Sequence, residues 1–296
     1  MSREHHDGGA ELDDGDAVGD FRVLRRLDRS ATGVVYEALA LTLPRVVALK
    51  VLAPELTRDV AGRARFVRAA HAAAAIDHPA VPTVYQFGFD GARVFIAMEI
   101  VRGQSLRERL ANGCLPLAEA LRIAGVVAGA LGAAHAVGVV HRELRPECIV
   151  LSDGLVKVLD CGFAALDPAT PTSPPSDDAP SVVTAEGHVV AALGYRAPEQ
   201  AGDGPVDARA DVFALGAVLY EMLTGLPPDA AAGRAPRAPG LSGAPPLHGV
   251  RSDVPPALAA IIDRRVAADL SERFADGREL AAALAALTLT SRRASR

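Results

Sequence analysis

Lysine is rare in this chain, and its placement is informative. Among 31 basic residues only Lys50 and Lys157 are lysines, and the others are arginines. Where arginine is the usual cation, a lysine can mark a site that needs a compact, rotatable ammonium group. Lys50 ends the apolar run Val47-Ala-Leu-Lys50, which is typical of a strand. It is therefore a candidate for binding an anionic group, and chance retention of two lysines is the alternative.

Three cysteines are present, Cys114, Cys148 and Cys161, and no two of them form a C-x-x-C pair. This pattern indicates neither a zinc ribbon nor a disulfide framework. A soft-metal or redox site at Cys148 and Cys161 would need further ligands. Small buried side chains are the simpler interpretation of both residues.

Composition bounds the class of protein. The chain has 296 residues, half of them hydrophobic, which suits one large two-lobed domain or two modest ones. The net charge of −5 argues against a nucleic-acid binder, which would normally show a basic face. Residues 1–20 are acidic and contain no apolar core, so we expect no signal peptide there.

Two kinds of sequence follow each other along the chain. From Phe21 to Val101, short runs rich in β-branched and aliphatic residues predict strands around one Ala-rich helix at 63–76. After Gly103, longer stretches predict helices at 117–137, 206–224, 256–267 and 276–287. A strand-rich part followed by a helical part suggests two lobes around a cleft.

The stretch 121–140 is apolar enough to be compared with a membrane span. It consists mostly of Ala, Gly and Val, but it contains Arg122 and His135. We therefore expect a buried core helix, and a soluble, cytoplasmic protein with no membrane partner.

Five short motifs occur in order along the chain: Val47-Ala-Leu-Lys50, His141-Arg-Glu143, Asp160-Cys-Gly162, Ala197-Pro-Glu199 and Asp211-Val-Phe-Ala-Leu-Gly216. Their order and spacing resemble the eukaryotic-like bacterial serine/threonine protein kinases over about residues 20–288. The resemblance implies an α+β, bilobal protein-kinase fold with a small β-rich N-lobe and a larger helical C-lobe. The predicted organisation is a flexible tail at 1–18, the N-lobe at 19–101, the C-lobe at 102–288 with a mobile activation-segment insert at 167–190, and a basic tail at 289–296.

The loop that covers the phosphates in this family reads G-x-G-x-x-G-x-V, because glycines let backbone N–H groups close over the ligand. Here Asp28 and Ser30 replace the first two glycines, while Gly33 and Val35 remain. The negative charge of Asp28 would oppose a polyphosphate. A harmless turn substitution is the alternative interpretation.

By resemblance, Lys50 takes the position of the family's phosphate-binding lysine, whose partner is a glutamate on the following helix. The spacing places Ala69 at the glutamate position, and no carboxylate occurs between Val60 and Ile76. Asp160 is then the remaining candidate partner of Lys50. The resemblance implies that the ion pair joining the lysine to the helix has been lost.

The catalytic loop resembles H-R-D-L-K-P-E-N. Glu143 replaces the aspartate that accepts the proton of the substrate hydroxyl, and its longer side chain displaces the carboxylate by about an ångström. Misplacement of that order can cost about a hundredfold in rate. Another rotamer of Glu143 could recover the function. Arg145 keeps the positive charge of the lysine that meets the γ-phosphate.

The metal ligands are only partly kept. Cys148 replaces the asparagine that offers an oxygen to the second magnesium ion, and a thiol is a poor ligand for that hard cation. Asp160 keeps the other magnesium-binding carboxylate, and Cys161 replaces the packed phenylalanine of the D-F-G motif. The resemblance therefore implies at most one magnesium site.

The resemblance also implies weak ATP binding at most. Adenine would lie on apolar side chains, and the hinge, Glu99–Val101, would contact it through backbone atoms, which tolerate side-chain changes. The positions that would contact the nucleotide are Gly33, Val35, Ala48, Lys50, Met98, Glu99, Val101, Val150 and Asp160.

The scaffold of the family is kept. Glu199 and Arg273 match its buried ion pair, and Asp211 matches the residue that accepts hydrogen bonds from the catalytic-loop backbone. The sequence thus predicts a pseudokinase, a regulatory or interaction module. The alternative is a slow but active serine/threonine kinase with Glu143 as base, Arg145 on the γ-phosphate and one metal on Asp160. A third is an interaction protein that binds no nucleotide.

We expect a protein partner, for example a partner kinase. Alanine stands where the family's activation-segment threonine would be, at Ala191-Ala192. Serines and threonines at 170–184 could accept phosphate from another kinase, and a plain disordered insert is the alternative. The segment 227–246 is a candidate docking surface. The sequence 291–296 resembles a substrate of basic-directed kinases, although a solvated tail is the simpler interpretation.

Overall fold

The computed structural model of the protein describes residues 11–30, 32–152, 154–163, 193–201, 206–227, 247–252, 254–265 and 270–294. Within those residues the chain divides into two compact units. Of the described residues, the first unit takes those within 11–77, 82–102 and 162–163, and the second takes those within 78–81, 103–161 and 193–294.

The first unit is built on a six-stranded antiparallel sheet with the order β1-β2-β3-β4-β6-β5. One helix packs against it, because Phe66 and Ala70 on that helix are fully buried in the apolar cluster on one face of the sheet. The elements are β1 Ala17–Val18, β2 Phe21–Ser30, β3 Gly33–Ala40, β4 Arg45–Leu52, α1 Val60–Ala74, β5 Val84–Asp90 and β6 Arg93–Met98.

Successive side chains along each strand point to opposite faces of this sheet. One face carries Tyr36, Val47 and Leu49 into a core that β1 and the start of β2 complete. On the opposite face, Val35 lies across from Lys50 and Glu37 lies across from Ala48. The pairing of β3 with β4 therefore places these two strands' candidate nucleotide-binding side chains on a single face.

The expected flexible tail at 1–18 is wrong for residues 11–18. Leu12 is buried, and its N–H donates to the Tyr36 hydroxyl over 3.0 Å. Glu11 pairs with Arg26, with 2.6 Å between the charged atoms. The polar composition concealed one apolar anchor, so the domain begins earlier than predicted. Residues 1–10 lie outside the described part of the chain.

The second unit is mainly helical and contains a small sheet with the order β7-β8-β9. Helix α4 is buried at every position from Ala210 to Leu223, which makes it the central helix of this unit. The elements are β7 Gln104–Ser105, α2 Leu106–Leu110, α3 Leu117–Ala136, β8 Ile149–Ser152, β9 Leu155–Val158, α4 Ala208–Thr224, α5 Leu247–Val250, α6 Pro256–Arg265 and α7 Gly277–Ala294.

Among the residues described, α3 alone has the length and apolar composition that could span a membrane, and half of its apolar window is buried inside the protein. It packs closely against α7. A Cβ atom added at Gly277 would lie 2.5 Å from Gly132 N. These contacts fit the predicted core helix.

The end of the chain differs from the prediction. Helix α7 continues to Ala294, through most of the segment 289–296 that was expected to be a tail. The insert at 167–190 lies outside the described residues, as do residues 228–246 of the candidate docking segment.

Candidate functional site

Two side chains near the end of β2 hydrogen-bond to the backbone around the β2–β3 turn. Ser30 Oγ donates to Gly33 O over 3.2 Å, and Asp28 Oδ1 accepts from Arg29 N–H over 2.8 Å. Gly33 has φ +146°, and a Cβ there would lie 2.2 Å from Val51 O, so only glycine fits. The carboxylate of Asp28 thus accepts from the strand backbone next to it, near the end of β2.

Lys50 is 1% exposed and lies on β4 opposite Val35 and Ile96. Its Nζ is 5.6 Å from the centroid of the Phe163 ring. Phe163 belongs to an apolar cluster of the first unit, and Ala69 of α1 packs against that same cluster. Where the family would place a glutamate, this helix therefore presents a methyl group to an apolar environment.

The first unit also holds the predicted adenine-contacting residues Val35, Ala48 and Met98. Ala48 lies opposite Met98, and both are buried in the cluster against which Val35 packs. The hinge residue Glu99 donates its N–H to Thr83 O over 2.9 Å, and Val101 is half-buried. These side chains form an apolar surface bordered by the hinge backbone.

A carboxylate that the sequence did not single out lies on the same face. Glu37 is 7% exposed, and its two oxygens bind Arg102 Nη2 and Arg25 Nη2, each at 2.6 Å. Hydrogen bonding to Arg102 lowers the pKa of Glu37 below its ordinary value. The available signal was a charged residue at an inward position of a strand.

In the second unit, the catalytic-loop backbone is held by Asp211, which is fully buried on α4. His141 N–H donates to Asp211 Oδ2 and Arg142 N–H donates to Oδ1, both over 2.7 Å. His135 Nδ1 accepts from Gly277 N–H over 3.1 Å, so the proton of this imidazole lies on Nε2, which donates to Asp211 over 2.9 Å. This is the loop-holding role that the sequence predicted for Asp211.

The catalytic loop is also hydrogen-bonded to Leu159, the residue between β9 and Asp160. His141 Nε2 donates to Leu159 O over 2.8 Å, and Leu159 N–H donates to Cys148 O over 2.7 Å. Arg142 and Asp160 both have positive φ, at +67° and +60°. A non-glycine residue in this region costs about 1–3 kcal/mol and persists only where its surroundings hold it. Hydrogen bonds therefore hold the backbone of the catalytic loop and of the residues just before Asp160 in one conformation.

Three further predicted site residues, Glu143, Val150 and Arg145, lie in the second unit. The Glu143 side chain is exposed, as a base that meets an incoming hydroxyl must be. Val150 is buried on β8, opposite Lys157 and Ser105. Arg145 Nε lies 3.9 Å from Glu147 Oε2, so a neighbouring carboxylate partly neutralises its charge.

Cys148 is a buried, neutral thiol. Desolvation, aided by the charge of Asp160, raises its pKa to about 12, and its Sγ donates to Glu143 O over 3.5 Å. Burial raises the pKa of Cys161 as well. No group of three or more His, Cys, Asp or Glu residues within the described ranges is arranged to hold a metal ion. The carboxylate of Asp160 is a hard-oxygen donor, whereas the protonated thiol of Cys148 is not.

A buried ion pair ties the 3₁₀ turn Pro198–Ala201 to the end of the second unit. Arg273 Nη1 lies 2.7 Å from Glu199 Oε1, and the guanidinium is 5.1 Å from the Phe213 ring centroid. This is the pairing predicted from the sequence. The alanines at 191 and 192 and the candidate phosphate acceptors at 170–184 lie outside the described residues.

Arg107 is the centre of a network that the sequence did not reveal. Its Nε lies 2.8 Å from Glu147 Oε1, its Nη1 lies 2.6 Å from Glu221 Oε1, and its Nη2 donates to the Tyr195 hydroxyl over 2.7 Å. The Tyr195 hydroxyl donates in turn to Glu221 Oε2. The members come from α2, the catalytic loop, the turn Leu193–Tyr195 and α4.

Comparison with known proteins gives consistent matches. Residues 21–237 match the family described as the protein kinase domain. The chain is 38% identical over 288 residues to serine/threonine-protein kinase PknJ of Mycobacterium tuberculosis, and 37% identical over 287 residues to serine/threonine-protein kinase pkn3 of Myxococcus xanthus. The matches cover 93% and 92% of this chain but 46% and 51% of those relatives, so the chain spans about half their length.

Solved structures agree with this assignment. A crystal structure of the Mycobacterium tuberculosis PknI kinase domain superposes with a TM-score of 0.71 at 31% identity, and the match covers 93% of this chain and 98% of that one. A structure described as PpkA-294 in its apo form matches with a TM-score of 0.68 at 20% identity, which shows likeness of fold alone.

Proposed function

The chain belongs to the protein kinase domain family, among relatives that are bacterial serine/threonine kinases, and from that premise we propose that it is a pseudokinase. In this proposal it acts as a regulatory or interaction module that binds ATP weakly or not at all. Its partner is a protein, for example a partner kinase, and it works on the cytoplasmic side of the cell.

The observation that carries the proposal is Cys148. Phosphoryl transfer depends on positioning and on neutralising charge around the γ-phosphoryl group, and metal ions do much of that work. A buried thiol with a pKa of about 12 stays protonated at neutral pH and offers no hard oxygen to magnesium. The residues at the metal positions support one magnesium ion, on Asp160, and not two.

The surroundings of Lys50 support the same conclusion. The helix that would supply its carboxylate partner supplies Ala69 instead, packed against the apolar cluster that contains Phe163. Lys50 in the first unit would still offer a cation to a phosphate, and Asp160 in the second unit would still offer a carboxylate to a metal ion. Weak ATP binding with or without one magnesium ion is therefore part of the proposal.

A slow but active serine/threonine kinase is the second candidate, because Glu143 is exposed and the loop that carries it is firmly held by Asp211. In that case Glu143 takes the proton of the acceptor hydroxyl and Arg145 meets the γ-phosphate. A third candidate is an interaction protein that never binds nucleotide.

Thermal shift with ATP, with and without magnesium, separates these candidates when phosphate transfer to a generic protein substrate is followed in parallel. A rise in Tm without transfer supports the pseudokinase. Transfer that Lys50→Met abolishes would establish the active kinase instead. If Tm does not change at any ATP concentration, the third candidate, an interaction protein that binds no nucleotide, is supported.

A further inference from the structure

Arg107 joins three separate parts of the second unit through one guanidinium group. The residues it contacts are distant in sequence: Glu147 is 40 residues away, Tyr195 is 88 and Glu221 is 114. Each of its three nitrogens has its own acceptor. Such a planar fork satisfies several fixed oxygens at once, which an ammonium group cannot do.

The contacts of Arg107 are shielded on the side of Glu221 and Tyr195, whereas the side chain of Glu147 is 38% exposed. The side chain of Glu221 is 2% exposed, Tyr195 is 3% exposed, and the side chain of Arg107 is 32% exposed. Charge-assisted hydrogen bonds in such surroundings are short and strong. The shielded bonds hold the Tyr195 ring next to Glu221, and the more exposed bond to Glu147 adds the link to the catalytic loop.

We propose that Arg107 is a positioning residue that fixes the turn at Tyr195 against the catalytic loop, independently of any phosphate on this chain. Its contacts are two carboxylates and a phenol, all supplied by the protein itself. Alanine stands at 191 and 192, so those positions cannot be phosphorylated. The surface formed by residues 193–201 and 141–148 is then preformed, whether or not a serine or threonine at 170–184 carries phosphate.

Hydrogen exchange of the full chain tests this proposal, with the peptides that cover 193–201 and 141–148 as readout. Arg107→Met should raise exchange in both peptides by about tenfold or more, since hydrogen bonds to charged groups are lost. Arg109→Met is the matched control. It lies on the same short helix and its ion pair with Glu119 is longer, at 3.3 Å, so exchange in these peptides should stay at the wild-type rate.

Two conservative variants separate positioning from bulk stability. Arg107→Lys keeps the charge but reaches one acceptor at a time, so it should show exchange close to that of Arg107→Met. Tyr195→Phe keeps the ring and loses only the hydroxyl, so exchange should rise in 193–201 and stay unchanged in 141–148. These variants also keep the test decisive if Arg107→Met fails to fold.

The proposal is overturned if Arg107→Lys restores wild-type exchange, or if Arg107→Met and Arg109→Met behave alike. Phosphorylating the wild-type chain with an active serine/threonine kinase provides the other arm. Unchanged exchange in 193–201 supports Arg107 as the positioning residue. A tenfold or greater slowing on phosphorylation would show that phosphate, rather than Arg107, fixes the turn at Tyr195.

Discussion

At the scale of single residues, the three cysteines have very different surroundings. Cys114 is exposed, and Arg251 Nη1 lies 3.8 Å from its Sγ. Cys148 and Cys161 are buried, and desolvation raises the pKa of both thiols. Since the thiolate is the reactive form, the side chains differ in reactivity as well as in exposure.

We therefore expect native protein at pH 8 to react quickly with a disulfide reagent such as DTNB at one thiol, Cys114, while Cys148 and Cys161 react only on unfolding. The release of thionitrobenzoate over time measures this directly. Cys114→Ser should remove the fast phase and leave the slow one. A fast phase that survives in Cys114→Ser would mean that a buried thiol is accessible.

Restoring the catalytic residues should fail unless the helix is repaired too. Glu143→Asp with Cys148→Asn should raise phosphate transfer by less than about tenfold, because α1 still gives Lys50 no carboxylate. Adding Ala69→Glu should raise transfer by a further factor of about ten or more.

Ala69→Gln is the matched control for that triple variant, since it has the same size but no charge. Initial rates with radiolabelled ATP measure each step. Robust transfer from the double variant alone, or equal rates with Gln and Glu at position 69, would contradict the importance of the missing ion pair.

At the scale of elements, the close contact between α3 and α7 depends on two glycines, Gly132 of α3 and Gly277 of α7. A Cβ at Gly277 would lie 2.6 Å from Ala128 O and 2.8 Å from Leu131 Cβ, so Gly277→Ala must push the helices apart. We expect it to lower the free energy of unfolding by about 1–3 kcal/mol.

Gly125→Ala, on α3, is the control for Gly277→Ala on α7. Nothing lies within 4 Å of a Cβ added there, so the higher helix propensity of alanine should raise stability by about 0.5–1 kcal/mol. Urea unfolding measures both variants. Equal effects of the two substitutions would show that the helices are not in close contact.

The fold class was predictable because it depends on short sequence patterns, namely the alternation of apolar residues in strands and the order of the motifs. Runs such as Val46–Leu52 alternate between the two faces of a sheet, and motif order along the chain gave the α+β, bilobal kinase fold that the family match and the PknI structure confirm. The boundaries were less secure. Residues 11–18 were expected to be a flexible tail, but Leu12 is buried within this acidic segment, and composition cannot reveal such an anchor.

The candidate site was predictable only where a motif marks it. Asp211 and Glu199 stand in two of the five motifs, the family resemblance matched Arg273 to Glu199, and the structure shows their contacts. Arg107 and Glu37 do not stand at motif positions. Their partners are far apart in sequence, and side chains that meet only through the tertiary fold leave no local pattern to read.

At the scale of the whole molecule, the titrating groups set limits on stability at both ends of the pH range. The pKa values of Glu37, Glu108 and Asp207 are lowered, by hydrogen bonds from Arg102, from Ser105 N–H and from Arg209. Groups with a lowered pKa stabilise the folded state above their unfolded values and lose that contribution as pH falls through the folded values. The raised pKa of the Cys148 thiol acts at the alkaline end, where the unfolded chain loses its proton first.

We expect Tm to be nearly constant between about pH 5 and 8, to fall below the ordinary carboxyl values of 4.5 and 3.8, and to fall again above the ordinary thiol value of 9.0. Calorimetric scans across pH test this. Glu37→Gln should lower Tm most at neutral pH and converge with the wild type in acid. A deficit for Glu37→Gln that grows as pH falls would mean that the sign is reversed.

The two side-chain amines offer a built-in chemical reporter. Lys50 is 1% exposed, whereas Lys157 is half-buried on β9. An acylating ester would modify Lys157 in the native protein but could reach Lys50 only when the first unit opens. The ratio of the two acylation rates, read by mass spectrometry, would thus follow local opening of that unit without any engineered reporter residue.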